Sequence, residues 1–226
     1  MVAVHGTTRQ AQQLRDAWTP FAERHHAVIV TPLFPAGITG ADDVDGYKAV
    51  EDHGIRYDQI LFDLLGEVAT RWTLDVARFY LAGHSGGGQY TNRMLLLHPG
   101  RLAGAVISAP GRITLIDPDQ PWPRGTADTR ARFGIDIDRA AIAAVPTLLT
   151  AGERDEGRAA LRAQHDASQA GYGATRVARL ETLAGNLRAH SADVRLELAA
   201  DAGHQGNPTL SIAQRFLGGL IEGARS

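Results

Sequence analysis

The stretch Gly83-His84-Ser85-Gly86-Gly87 sets one hydroxyl among small residues, after a strand-forming run and before a helix-forming one. The G-x-S-x-G spacing suits a sharp strand-to-helix turn that lifts a serine Oγ above the edge of a sheet. Bulk two positions to either side would hold strand and helix apart, and a strained backbone at the serine needs small neighbours. A helix starting just after the serine offers unpaired N–H groups to developing negative charge. The chemistry that fits is nucleophilic attack on a carbonyl through a covalent intermediate. On its own, the motif also reads as a glycine-rich turn that cradles phosphate.

A serine hydroxyl needs a base. The run "LELAADAGHQG" supplies His204 on a short loop after a strand, with Gly203 and Gly206 free to fold that loop toward Ser85. The histidine needs a carboxylate to fix its tautomer and stabilise the imidazolium. In "VPTLLTAGERDEG", Asp155 follows a strand and a glycine, and Glu153 and Glu156 compete with it but suit a solvated loop better. Two N–H donors must receive the oxyanion. The Gly86 amide is one, and the Thr7 amide, at the strand exit His5-Gly6-Thr7, is the candidate for the second. His84 lies inside the turn and is expected to shape the pocket. His25 and His26 read as a helix C-terminal pair, His98 as a helix exit, and His53, His165 and His190 as solvated.

These residues require a scaffold that gathers strand ends along one rim. Short β-branched runs alternate with helix-like segments. Strands are expected at Val2–Val4, in "HAVIVTPLF" (26–34), "VARFYLAG" (76–83), "LAGAVISAP" (102–110), "VPTLLTAG" (145–152) and "DVRLELAAD" (193–201). Helices are expected over 11–25, 57–72, 88–97, 174–190 and 210–223, the second with Ile60, Leu61, Leu64, Leu65 and Val68 on one side. This alternation implies an α/β fold with a mostly parallel sheet covered on both faces, and with ligands bound at the strand C-termini. Residues 111–138 are irregular and rich in Pro and charge. They read as a lid or insert in a single domain spanning 1–226, with Trp122 and Phe133 as candidate substrate-binding residues. Arg112, Arg124, Arg130 and Arg132 are either solvated or partners for a substrate carboxylate.

At this point the chain resembles the α/β-hydrolase superfamily, from His5-Gly6 through Gly83–Gly87 and Asp155 to His204. The glycine-rich "GHSGGG" and "APGRITLID…PWPRG" give a looser likeness to the esterase branch with polyhydroxyalkanoate depolymerases and feruloyl esterases. The resemblance implies Ser85 as nucleophile, Asp155 as acid, His204 as base and an oxyanion hole at Thr7 and Gly86. It also implies an α/β-hydrolase fold, here without the first one or two strands, because "MVAVHG" opens almost inside a strand; a short variant and a late assigned start account for this equally well.

At 226 residues, 44% apolar and 21% charged, the chain has the composition of an ordinary globular protein. A net charge of -2 gives no reason to expect nucleic acid or an anionic membrane surface as a partner. With no cysteine, thiol nucleophiles, disulfides and thiolate-bound zinc are excluded. No apolar run reaches membrane-spanning length and no signal peptide is evident, so a cytoplasmic location is expected. Asp42, Asp43 and Asp45 lack the glycine and glutamate of an EF-hand loop and read as solvated. The expectation is a serine esterase acting on a small-molecule ester, with no cofactor and no metal. Acyl transfer, amide hydrolysis and a non-catalytic binding protein of the same fold are the alternatives.

Overall fold

The computed structural model describes residues 1–41, 43–156 and 171–224. Asp42 and His165 lie outside the described residues. Five parallel strands form the main sheet: β1 (Val2–Val4), β4 (Phe79–His84), β5 (Leu102–Ser108), β6 (Thr147–Gly152) and β7 (Val194–Ala199), in that spatial order. Register pairs Val4 with Gly83, His84 with Ser108, and Ser108 with Thr150. The C-terminal ends of β4, β5 and β6 therefore come level at one rim. A two-stranded hairpin, β2 (Glu51–Asp52) and β3 (Ile55–Arg56), stands apart.

Side chains alternate across the sheet, and each face has its own core. Leu81, Ala105, Ile107 and Leu149 face α2 (Tyr57–Arg71), α3 (Gly86–Leu97) and α6 (Arg176–Ala189). Ala82, Val106 and Leu148 face α1 (Ala11–His25) and α7 (Gly206–Gly223). Helix α6 is capped by Thr175, whose hydroxyl accepts from the Ala178 amide at 3.1 Å. The fold is that of the α/β-hydrolases.

Several expectations are corrected. The segment 26–34 is not a ladder strand. Only Val30 bridges to β1, through Val30 N to Met1 O and Ala3 N to Val30 O, both 2.9 Å. Pro32 lacks the N–H that would extend the ladder, and the Phe34 amide donates to His5 Nε2 instead. On α2 the buried apolar residues are Tyr57, Leu61 and Leu65, while Ile60 faces solvent. The segment 111–138 carries a short helix, α4 (Thr129–Phe133), followed by α5 (Arg139–Ala143), which is capped by Asp138. Ile113, Ile116, Trp122 and Phe133 sink into the core. Asn92 on α3 accepts from the Thr114 amide at 2.8 Å, which ties the segment down.

Candidate active site

The sharp turn forms where the glycines require it. Ser85 holds φ 57° and ψ −111°, between the end of β4 and the start of α3. Such a conformation costs about 1–3 kcal/mol and persists only where its surroundings enforce it. The enforcement is visible at the neighbouring glycines. A Cβ on Gly83 would stand 2.2 Å from the Gly87 carbonyl oxygen, and one on Gly87 would stand 2.1 Å from the Val4 oxygen. The Ser85 amide donates to the Ser108 carbonyl at 2.8 Å, which locks the turn onto β5.

Three side chains from three strand ends meet there. His204, on the loop between β7 and α7, has Nε2 3.1 Å from Ser85 Oγ. Its Nδ1 lies 2.7 Å from Asp155 Oδ2, on the loop after β6. A carboxylate only accepts, so Nδ1 carries the proton and Nε2 is free to accept from the hydroxyl. The Asp155 side chain is fully buried, and its other oxygen accepts from Arg176 at 2.8 Å. Burial by itself would raise its pKa. The hydrogen bond from His204 and the Arg176 charge outweigh that and hold the carboxyl below its usual range. Glu153 and Glu156, by contrast, are exposed.

His84 backs this arrangement. Its Nε2 lies 3.3 Å from the His204 carbonyl, and its Nδ1 lies 2.8 Å from Ser108 Oγ. Because the carbonyl only accepts, Nε2 carries the proton and Nδ1 accepts from the serine hydroxyl. Burial, followed by the proximity of His204, lowers its pKa to about 4, so the ring is neutral near pH 7. It fastens the loop carrying His204 to the strand that ends just before Ser85.

Thr7 and Gly86 are brought together: a Cβ on Gly86 would lie 3.1 Å from the Thr7 nitrogen. The Gly86 amide is in the first turn of α3, where N–H groups lack intrahelical partners. The loop carrying Thr7 is held by contacts that the sequence reading missed. Tyr47 Oη donates to the His5 carbonyl at 3.0 Å, and Arg9 donates to the Thr7 carbonyl at 2.9 Å and the Phe34 carbonyl at 2.9 Å. His5 accepts from the Phe34 amide through Nε2 and so donates Nδ1–H to the Gly6 carbonyl at 2.8 Å. Lys48 runs along Gly86 with its side chain almost fully buried, its ammonium on Asp45.

Trp122 and Phe133, expected to face substrate, are packed edge-to-face at 5.0 Å in the core. The Trp122 Nε1–H donates to the Ala49 carbonyl at 2.9 Å. The arginines of this region have partners: Arg112 with Asp45, Arg130 with Asp136, Arg132 with Glu51, and Arg124 over the Tyr172 ring. Asp43 accepts from the Gly46 amide at 3.1 Å. His98, expected only as a helix exit, donates to the buried Asp58 at 2.7 Å. A cavity of about 600 Å³ opens at Thr7, Ser85 and His204 and runs between α1 and α7. No residue of 111–138 lines it. Of the contacts missed, Arg176 had one legible sign: a cation in the first turn of a helix opposes the helix dipole and calls for an acid nearby.

No protein-family model matches the chain, and no curated protein does. Solved structures do. Poly(aspartic acid) hydrolase-1 from Sphingomonas sp. KT-1 superposes with a TM-score of 0.78 at 23% identity, covering 95% of this chain and 85% of that one. LpqC, a poly(3-hydroxybutyrate) depolymerase from Bordetella parapertussis, gives 0.77 at 22%, with 96% and 77% covered. An S-formylglutathione hydrolase from Agrobacterium tumefaciens gives 0.60 at 17%, with 98% and 82% covered. At these identities the likeness is one of fold. Among the described residues, no helix is long and apolar enough to cross a membrane.

Proposed function

We propose that the protein is a serine hydrolase that cleaves a carboxylic ester through an acyl-enzyme. Ser85 Oγ attacks the carbonyl carbon as its proton passes to His204 Nε2. The carbonyl oxygen becomes an oxyanion held by the Thr7 and Gly86 amides. Asp155 stabilises the imidazolium, which then protonates the departing alkoxide as the tetrahedral intermediate collapses. Water repeats the cycle on the acyl-enzyme and releases the acid. The observation that carries this reading is the serine–imidazole–carboxylate chain, 3.1 Å and 2.7 Å, on a serine held at a strained turn. The fold shared with solved esterases and hydrolases supports it.

The test is turnover of p-nitrophenyl acetate by the purified protein and by Ser85→Ala. Loss of about 10⁴-fold or more in kcat for the variant is expected. Equal rates for the two proteins would overturn the reading.

A further inference from the structure

We propose that the cavity between α1 and α7 receives an uncharged, largely apolar chain of the substrate, which makes esters with a flexible medium-length chain the preferred class. This rests on the hydrolase reading above and specifies its substrate.

The cavity begins at the reacting atoms and leads away from them between two helices. Its floor is the sheet at Ala82 and Val106. One wall is Leu14, Ala17 and Trp18 of α1, and the other is Leu210 and Ala213 of α7. Leu14 and Leu210 are only partly buried there although they lean on the core of that face. The gap exists because alanines stand at positions 17, 82 and 213, where larger side chains would close it. At about 600 Å³ it falls within the ~300–1,000 Å³ of sites that bury small organic ligands.

Its charges decide the class of chain. Among the described residues no acid and no lysine lines it, and Arg176 pairs its charge with Asp155 through Nη1, leaving its buried Nε without a partner. His84 stays neutral. A carboxylate drawn into this space would lose water without gaining a free counter-charge. The exposed polar side chains on the lining, Gln10, Gln13 and Asn207, are uncharged donors and acceptors suited to ester or hydroxyl oxygens, while Thr209 is buried and donates to the Gly206 carbonyl.

The experiment measures kcat/KM over two series: p-nitrophenyl acyl esters from acetate to octanoate, and acetate esters of straight-chain alcohols of the same lengths. One series is expected to rise about fourfold per methylene until the cavity is filled. The series that rises says whether the acyl or the alcohol chain enters. Ala17→Phe, on the wall of the cavity, should abolish that rise, read as the ratio of kcat/KM for the longest to the shortest ester within the variant itself. A substrate of equal length ending in a carboxylate should react at least about tenfold more slowly than its uncharged counterpart. Two flat series, or an unaltered rise in Ala17→Phe, would overturn the proposal. Failure of the hydrolase reading looks different: p-nitrophenyl acetate itself is not turned over, and the proposal falls with it.

Discussion

Replacing Gly87 by alanine presses a methyl group into the contact between α3 and β1. The new carbon would stand 2.1 Å from the Val4 oxygen and 2.9 Å from the His5 oxygen, whereas real Cβ contacts essentially never fall under 3.0 Å. Opening 2.1 Å to 3.0 Å takes 0.9 Å of backbone movement. β1 is only three residues long and continues directly into Thr7, so it is the element free to yield. Overpacking of this kind costs about 1–3 kcal/mol. For a chain of this size that is a fall of roughly 2–12 °C in Tm. The same movement carries the Thr7 amide away from Gly86, and a displacement near 1 Å can cost about 10²-fold in rate. Urea titration and ester kinetics measure the two effects. Gly66→Ala is the control, because a Cβ there meets nothing within 4 Å. It should raise stability by about 0.5–1 kcal/mol without touching kcat. A Gly87→Ala protein with wild-type Tm and wild-type kcat would refute the reasoning about the turn.

Two other substitutions test the charges that position the site and the fold. Asp155→Asn replaces the carboxylate, which can only accept, with an amide that can donate to Nδ1, so the His204 tautomer is no longer fixed. It should lower kcat by about 10³–10⁴-fold in steady-state assays, and it leaves the nearly buried Arg176 uncompensated, at a cost of about 3 kcal/mol in urea melts. Asp58, fully buried, receives His98 and Arg56. Burial would raise its pKa, but the bonds from His98 and Arg56 outweigh it and hold the carboxyl far below the usual range. A depressed folded-state pKa contributes stability that is fully present above the unfolded value of about 3.9 and lost as pH falls toward the folded one. Urea melts at about pH 5 and about pH 3 should show a larger loss in wild type than in Asp58→Asn, which starts less stable.

The turn at Ser85 was legible because its requirements are local: two flanking glycines, a strand before, a helix after. Asp155 and His204 were legible because each follows a strand that ends at the same rim, and parallel order brings such loops together. What escaped the sequence depends on distance in the chain or on missing volume. Tyr47 reaches back 42 residues to the His5 carbonyl, out of a stretch with no periodicity. The 26–34 run has the composition of a strand, yet Pro32 and the His5 ring draw it off the ladder after Val30. Trp122 and Phe133 sit in an irregular, proline-rich segment, which suggested a surface flap. Their apolar area is instead buried, and the indole finds its acceptor at Ala49. The cavity is made by alanines on three separate elements, and no local pattern registers a space left unfilled.

The most direct measurement of the central claim is covalent labelling by an organophosphonate, followed by intact mass and peptide mapping. The phosphonyl group is expected on Ser85 alone, with none on Ser85→Ala and labelling slowed about 10³-fold or more in His204→Ala. A label on another residue, or an unchanged labelling rate without the His204 imidazole, would contradict the account.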